Sequence, residues 1–259
     1  MKKRLLFGIL AVVMLSACFT GCGKKSGGKD MIYAVEAGSA GEAAAKEKDF
    51  KYNAVDSQAN ALMEVSAGTS DAAIVDLLMA CAMIGEGTDY EKLKYTDKLT
   101  TEYYGIGCRK DSDLADFINY VLYESYKDGS MIEIAKKYKI SDMIVEQKEC
   151  SYTENADGDV AYIKNKGELV VGITDFAPMD YKEGNEWVGF DADMAKKVAE
   201  KLGVSIKFVE IIWDNKIMEL NGKTVDVIWN GMTLTDEVKS SMNCTNAYCD
   251  NAQVVVVKK

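Results

Sequence analysis

Two distant stretches of this chain follow one plan. MEVSAGTSDAAIVD (63–76) and MELNGKTVDVIWN (218–230) each run from a helix through a tight glycine turn and an aspartate into a buried strand. The strands end on Asp76 and Asn230. Strand–helix alternation continues along the rest of the chain, which predicts an α/β fold with mainly parallel sheets. Two units of similar build, each ending a strand on a polar residue, predict a ligand held between them. Open α/β sheets bind ligands at the C-terminal ends of their strands.

The remaining elements follow from caps and periods. IYAVE (32–36) is a strand, and Ser39 with Glu42 forms a capping box for the helix after it. A short helix over 61–68 closes at Gly68, and AAIVD (72–76) and YYGIGCRK (103–110) are strands. Ser112 caps a helix with Leu114, Phe117, Ile118, Val121 and Leu122 on one face, a 3.6-residue period that Gly129 ends. Ser130 and Glu133 form a second capping box, for a helix through Tyr138. Residues 141–160 read as a linker, polar and without an apolar period. Then come a strand (168–174) and a helix opened by Asp191, buried through Met194, Val198 and Leu202, and stopped by Gly203. A half-buried strand (204–208), the helix KIMEL and strands at 225–230 and 252–257 complete the chain.

The opening residues read as an export signal. Lys2, Lys3 and Arg4 precede an apolar stretch, Leu5 to Leu15, shorter than the ~20 residues a spanning helix needs. Small residues and a cysteine follow, which resembles a bacterial lipobox. FTGC, ending at Cys22 and followed by polar GKKSGGKD, is the favoured lipidation site, and LSAC, ending at Cys18, is the alternative. A lipidated cysteine would hold the protein on the membrane through its acyl chains. Beyond residue 21 the chain carries 28 bases against 41 acids, a net charge of −13, which argues against nucleic acid as a partner. With no histidine and no CxxC, neither a metal nor a cofactor is expected. Cys244 and Cys249 are close enough in sequence to pair, whereas Cys81, Cys108 and Cys150 read as buried thiols.

GITDFAPMDY, GFDADMAKKVAEKLG, VDVIWNGMTLTDE and NAQVVVVKK resemble the N-terminal stretch of amino-acid-type (family 3) solute-binding proteins of ABC importers. VEAGSAGEAA, ALMEVSAGTSDAAIVD, EYYGIGCRKDSDL and DGSMIEIAKKY resemble that family's C-terminal stretch. The later part therefore comes first. The resemblance implies a two-lobed, periplasmic-binding-protein-like (type II) clamshell with its lobes circularly permuted. On that frame residues 1–21 are the lipoprotein signal peptide, 22–30 a tether and 31–104 lobe II. Residues 105–110 are a hinge strand, 111–140 the C-terminal helices of lobe I and 141–160 the linker. Residues 161–251 complete lobe I, and 252–259 form a second hinge strand expected to pair with 104–109. One covalent crossing and one free strand end would then join the lobes.

The same resemblance implies the site. Asp76 receives an α-ammonium, with a helix N-cap as its alternative role. Gly38, Ser39 and Ala40 meet an α-carboxylate through their main chain, as helix starts do for anions. Asn230, Met232, Thr233 and Thr235 line the site from lobe I, and Asp175, Phe176 and Met179 shape the side-chain pocket. Trp229 either adds a face or belongs to the core, and Trp213 reads as a surface or packing residue. The family's carboxylate-clamping arginine is missing: Val238 stands there, with Lys239 beside it. Either Lys239 reaches the site, or helix N-termini suffice, or the ligand lacks an ordinary α-carboxylate.

The function expected is capture of an amino acid or similar small polar solute for an ABC permease, by an exported cell-surface or periplasmic lipoprotein without catalytic residues. A ligand-sensing lipoprotein and a dehydratase-like enzyme of the same fold are the alternatives.

Overall fold

The computed structural model describes residues 28–259. The expected signal peptide, Cys18 and Cys22 lie outside the described residues. Among the described residues no helix is long and apolar enough to cross a membrane.

The first half comprises β1 (Ile32–Glu36), α1 (Ala40–Glu47), β2 (Lys51–Val55), α2 (Gln58–Ala67), β3 (Ala72–Asp76), α3 (Leu77–Met83) and β4 (Leu93–Lys98). The second begins with β5 (Glu102–Cys108), α4 (Leu114–Lys127), α5 (Ser130–Lys137), α6 (Asp159–Lys166) and β6 (Glu168–Ile173). It continues through β7 (Tyr181–Glu183), β8 (Glu186–Val188), α7 (Phe190–Leu202), β9 (Ser205–Glu210), α8 (Lys216–Asn221) and β10 (Val227–Thr233). Last are α9 (Asp236–Ser241), β11 (Asn243–Cys244), β12 (Cys249–Asn251) and β13 (Gln253–Lys258). Two mixed sheets result, in the orders β2-β1-β3-β13-β4 and β11-β5-β10-β6-β9. β1–β2, β1–β3, β6–β9 and β6–β10 are parallel.

Local chemistry sets the helix starts. Ser39 Oγ accepts from the Glu42 N–H at 3.2 Å, while Glu42 Oε2 accepts from the Gly38 N–H at 2.8 Å, one residue before the cap. Asp113, not the expected Ser112, occupies the N-cap of α4, though Ser112 Oγ accepts from the Leu114 N–H at 3.2 Å, and the α4 stripe is buried as its period requires. The expected Ser130–Glu133 box does not form. Gly129 occupies the N-cap, and Asp128 Oδ1 takes the Ser130 N–H at 2.8 Å.

The crossings between the sheets differ from expectation. β13 does not pair with 104–109. It lies inside the first sheet, with Val254 opposite Val75 of β3 and Lys98 of β4. Four consecutive buried residues (Gln253–Val256) suit a strand with neighbours on both sides and both faces covered. The pairing expected of it belongs to β12, where Cys249 stands opposite Tyr104. Residues 105–110 likewise do not bridge the halves, because β5 runs within the second sheet between β10 and β11. The chain crosses at 99–101 and returns at Ala252, so both connections are covalent. Glu102 ties them together, accepting from Thr100 Oγ1 at 2.8 Å, Gln253 Nε2 at 3.0 Å and Thr233 Oγ1 at 3.1 Å.

Residues 141–160 are laid against the second half instead of hanging free. Val145 N–H donates to the Tyr248 carbonyl at 3.0 Å, the Tyr152 ring meets Phe117 edge-on at 5.2 Å, and α6 already begins at Asp159. The five described cysteines are free thiols, and Cys81 is exposed. Cys244 pairs with Gly107 and Cys249 with Tyr104, three positions apart along β5. At ~3.3 Å per residue that is too far for a disulfide.

Candidate functional site

A cavity of about 180 Å³ opens where the strands of both sheets end. The first half supplies Glu36 at the end of β1, Gly38, Ser39 and Ala40 in the turn after it, Gln58 on α2, and Asp76 at the end of β3. The second supplies Phe176, Trp213, Lys216, Asn230, Met232 and Thr233, with Thr235, Glu237 and Val238 around α9.

Nine of the twelve expected ligand-binding residues border this cavity: Gly38, Ser39, Ala40, Asp76, Phe176, Asn230, Met232, Thr233 and Thr235. Asp175, Met179 and Trp229 do not. Asp175 is exposed beside Glu210. Met179 is fully buried below the loop, its carbonyl accepting from the Asp191 N–H at 3.0 Å. Trp229 alternates with Asn230 along β10 and so points into the core. Among the residues that do line the cavity, several are already engaged. Asn230 clamps the β6 loop, accepting from the Thr174 N–H at 2.6 Å and donating to Thr174 Oγ1 at 2.8 Å. Thr235 caps α9, its hydroxyl accepting from the Val238 N–H at 3.2 Å.

Asp76 has the dihedrals of an N-cap for α3 but makes no capping bond. Its carboxylate instead accepts from the side-chain amides of Gln58, Asn251 and Gln253. Burial and the charge of Glu102 push its pKa up to about 7 against those bonds. Glu36 is 5 % exposed, and burial followed by the charge of Asp76 pushes it up to about 8.

The place of the missing arginine is an apolar wall: Val238 is buried against the cavity, and Lys239 points to solvent without lining it. A cation arrives from α8 instead. Lys216 Nζ donates to the Gly38 carbonyl at 2.9 Å and the Trp213 carbonyl at 3.3 Å, and lies 5.0 Å from the centre of the Trp213 ring. The bond to Gly38 spans the two halves. Burial lowers the Lys216 pKa, opposed first by Glu237 and Asp214.

Sequence reasoning passed over Glu36, Gln58 and Lys216 and placed Trp213 elsewhere. The signal for Glu36 was present, since it ends β1 as Asp76 ends β3. Nothing marks Lys216, whose reach depends on the 3₁₀ turn at Trp213–Asn215.

Residues 169–259 match the bacterial extracellular solute-binding proteins, family 3. Over this segment the chain is similar to that family. It carries β6 to β13, and so both the second half's wall of the cavity and one strand of the first sheet. The arginine-binding extracellular protein ArtP of Bacillus subtilis (strain 168) is 36% identical over 95 residues, 36% of this chain and 37% of that protein. The L-cystine-binding protein TcyA of the same organism is 36% identical over 107 residues, 40% of each chain. Among solved structures, the arginine-bound form of truncated ArgBP from T. maritima is 44% identical, covering 31% of this chain and 39% of that one, with a TM-score of 0.30. The chain spans about two fifths of the length of the curated relatives it matches.

Proposed function

We propose that this protein captures an amino acid or similar small polar solute outside the cytoplasm and delivers it to an ABC permease. The observation that carries the reading is the charge layout of the cleft. Buried carboxylates stand on one wall and a buried ammonium on the other, so a zwitterion finds a partner for each charge as it loses water. Asp76 receives the ammonium, and Lys216 replaces the absent arginine at the carboxylate, with the Gly38–Ala40 main chain beside it. A ligand touching both walls favours closure of the halves. The named relatives bind amino acids, and the permease is the partner that the family resemblance implies.

The test is a thermal-shift screen of the L-amino acids. At least one is expected to raise the melting temperature, because a ligand specific to the folded state stabilises it. In Asp76→Asn that shift is expected to vanish. A screen with no shift for any amino acid refutes the reading. An undiminished shift in Asp76→Asn confines Asp76 to bracing the crossing strands.

The anchor is Cys22, with Cys18 the alternative. Cys22→Ser is expected to release the protein from the membrane fraction; release by Cys18→Ser alone reassigns the anchor.

The order of the segments is a circular permutation of the family's. What supports it is β13, which lies in the family-matched segment yet pairs between β3 and β4 in the sheet built from residues 32–98. Ile32 and Lys258 flank the start of β3 on opposite sides, roughly two strand spacings or ~10 Å apart. A rearranged chain that begins in the 141–160 segment and joins Lys259 to Met31 by a short glycine–serine linker is expected to fold and bind equally well. Failure of that chain to fold, measured by circular dichroism, counts against the permutation.

A further inference from the structure

Three charged side chains are buried on the cavity: Glu36, Asp76 and Lys216 are 5 %, 4 % and 7 % exposed. Two of them have partners. Asp76 is held by three side-chain amides, and Lys216 by the carbonyls of Gly38 and Trp213. The Glu36 carboxyl borders the cavity and, among the described residues, has no ion-pair partner; the side chain of Gln58 is its hydrogen-bonding neighbour. The charges that act on it are Asp76 on β3, which repels it, and Lys216 on α8, which attracts it. Gln58 on α2 is uncharged and turned to Asp76.

A neutral zwitterion satisfies this site only in part. Its ammonium would go to Asp76 and its carboxylate to Lys216, leaving Glu36 without a counter-charge in a site that loses water on closure. A buried carboxyl left so either ionises without a counter-charge, which is costly, or keeps its proton and leaves the ligand one contact short. Glu237, at the exposed rim of the cavity, adds negative charge and no cation. With Val238 in place of an arginine, Lys216 is, among the described residues, the one basic side chain lining the cavity, against the acidic Glu36, Asp76 and Glu237. We infer that Glu36 receives a second cationic group of the ligand, so that the cleft takes a basic amino acid in preference to a neutral one. This rests on the reading of the cleft as an amino-acid site. A second consequence follows from the position of the carboxyl. Burial and Asp76 hold it near 8, so below that pH it is largely protonated before binding, and a cation placed beside it expels the proton.

The experiment is calorimetric titration of the full chain with L-arginine and L-lysine, and with their uncharged counterparts L-citrulline and L-norleucine. The basic ligands are expected to bind roughly 10- to 100-fold more tightly, the range for a charge-assisted contact. At pH 6.5, titrations in two buffers of different ionisation enthalpy are expected to show proton release. In Glu36→Gln the preference is expected to collapse to about threefold or less and the proton release with arginine to fall to that seen with citrulline, which Asp76 alone supplies, with citrulline still bound. Citrulline binding the wild type as tightly as arginine overturns the assignment of Glu36 while leaving the amino-acid site standing. So does a Glu36→Gln variant that keeps the preference. Failure of all four ligands and of every other amino acid removes both.

Discussion

Heated without ligand, the protein is expected to melt at a lower temperature at pH 8 than at pH 5.5. Its interior holds carboxyl groups whose protons are retained by folding. Burial and Asp76 push Glu36 up to about 8, burial and Glu102 push Asp76 to about 7, and burial pushes Asp191 to about 7. Asp180, buried beside Asp191, lies well above its ordinary value. Each folded-state value exceeds its unfolded counterpart. The stability linked to each group is therefore fully present below the ordinary carboxylate range near 4 and is lost as pH rises toward 7 or 8. One group loses at most ~1.4 kcal/mol per pH unit. Even after discounting, the cluster amounts to a few kcal/mol, or roughly 5–10 °C for a chain of this length. Carboxylates of the opposite kind do not offset this. In Glu42, Asp159 and Asp193 the effect of partial burial is outweighed by hydrogen bonds from Lys46, Arg109 and Lys137, among others. Their contribution is already complete above pH 5. Lys216, lowered by burial, acts in the other direction only where its ammonium begins to lose its proton. Calorimetric scans from pH 5.5 to 8 test the prediction, and Glu36→Gln should flatten the slope. A melting temperature that stays level or rises with pH would show these carboxyls to be ionised in the folded protein.

Where side-chain patterning and local caps decide, the structure follows the sequence closely. β1 and β3 have the boundaries read from IYAVE and AAIVD, and Gly68 and Gly203 end their helices in left-handed conformations. Asp76 and Asn230 do face one cavity, as the two matching units suggested. β2 and β4 escaped notice because they are the edge strands of the first sheet. Their side chains are mostly exposed and carry no apolar alternation. The partners of β13 were misjudged for a different reason. Four valines state that a strand is buried, but not which strands cover its edges, because sheet order is settled by the whole set of competing strands. The 141–160 segment is held by single anchors such as Tyr152, which leave no period to read. At the site, residues at strand ends were legible and those reaching across from the other half were not. Lys216 meets the Gly38 carbonyl only because the chain folds α8 toward α1.

Replacing Gly38 with alanine is expected to weaken ligand binding by at least ~100-fold. Gly38 is where the halves touch. Its φ is +69°, its N–H donates to Glu42 Oε2 at 2.8 Å, and its carbonyl accepts from Lys216 at 2.9 Å. A Cβ added there would stand 2.6 Å from Asp214 Oδ1 and 2.8 Å from the Asp214 Cα. A side-chain oxygen can swing aside, but a Cα cannot, so the second half must back away. Retreat breaks the Lys216 bond and opens the cleft at the point where both walls must grip one small ligand. The left-handed backbone adds a cost of its own, about 1 kcal/mol for alanine, which acts on folding and not on closure. Gly68→Ala separates the two effects. Gly68 is also left-handed, at φ +88°, but its added Cβ meets only the end of the Lys258 side chain at 3.2 Å. Gly68→Ala should therefore lower the melting temperature by a few degrees and leave affinity unchanged, whereas Gly38→Ala should show a similar drop together with the loss of binding. The two are compared by calorimetric titration and thermal melts of the unliganded variants. Equal affinities in both would mean that the ligand is held without the halves meeting at Gly38, and the contact across the cleft would lose its place in the mechanism.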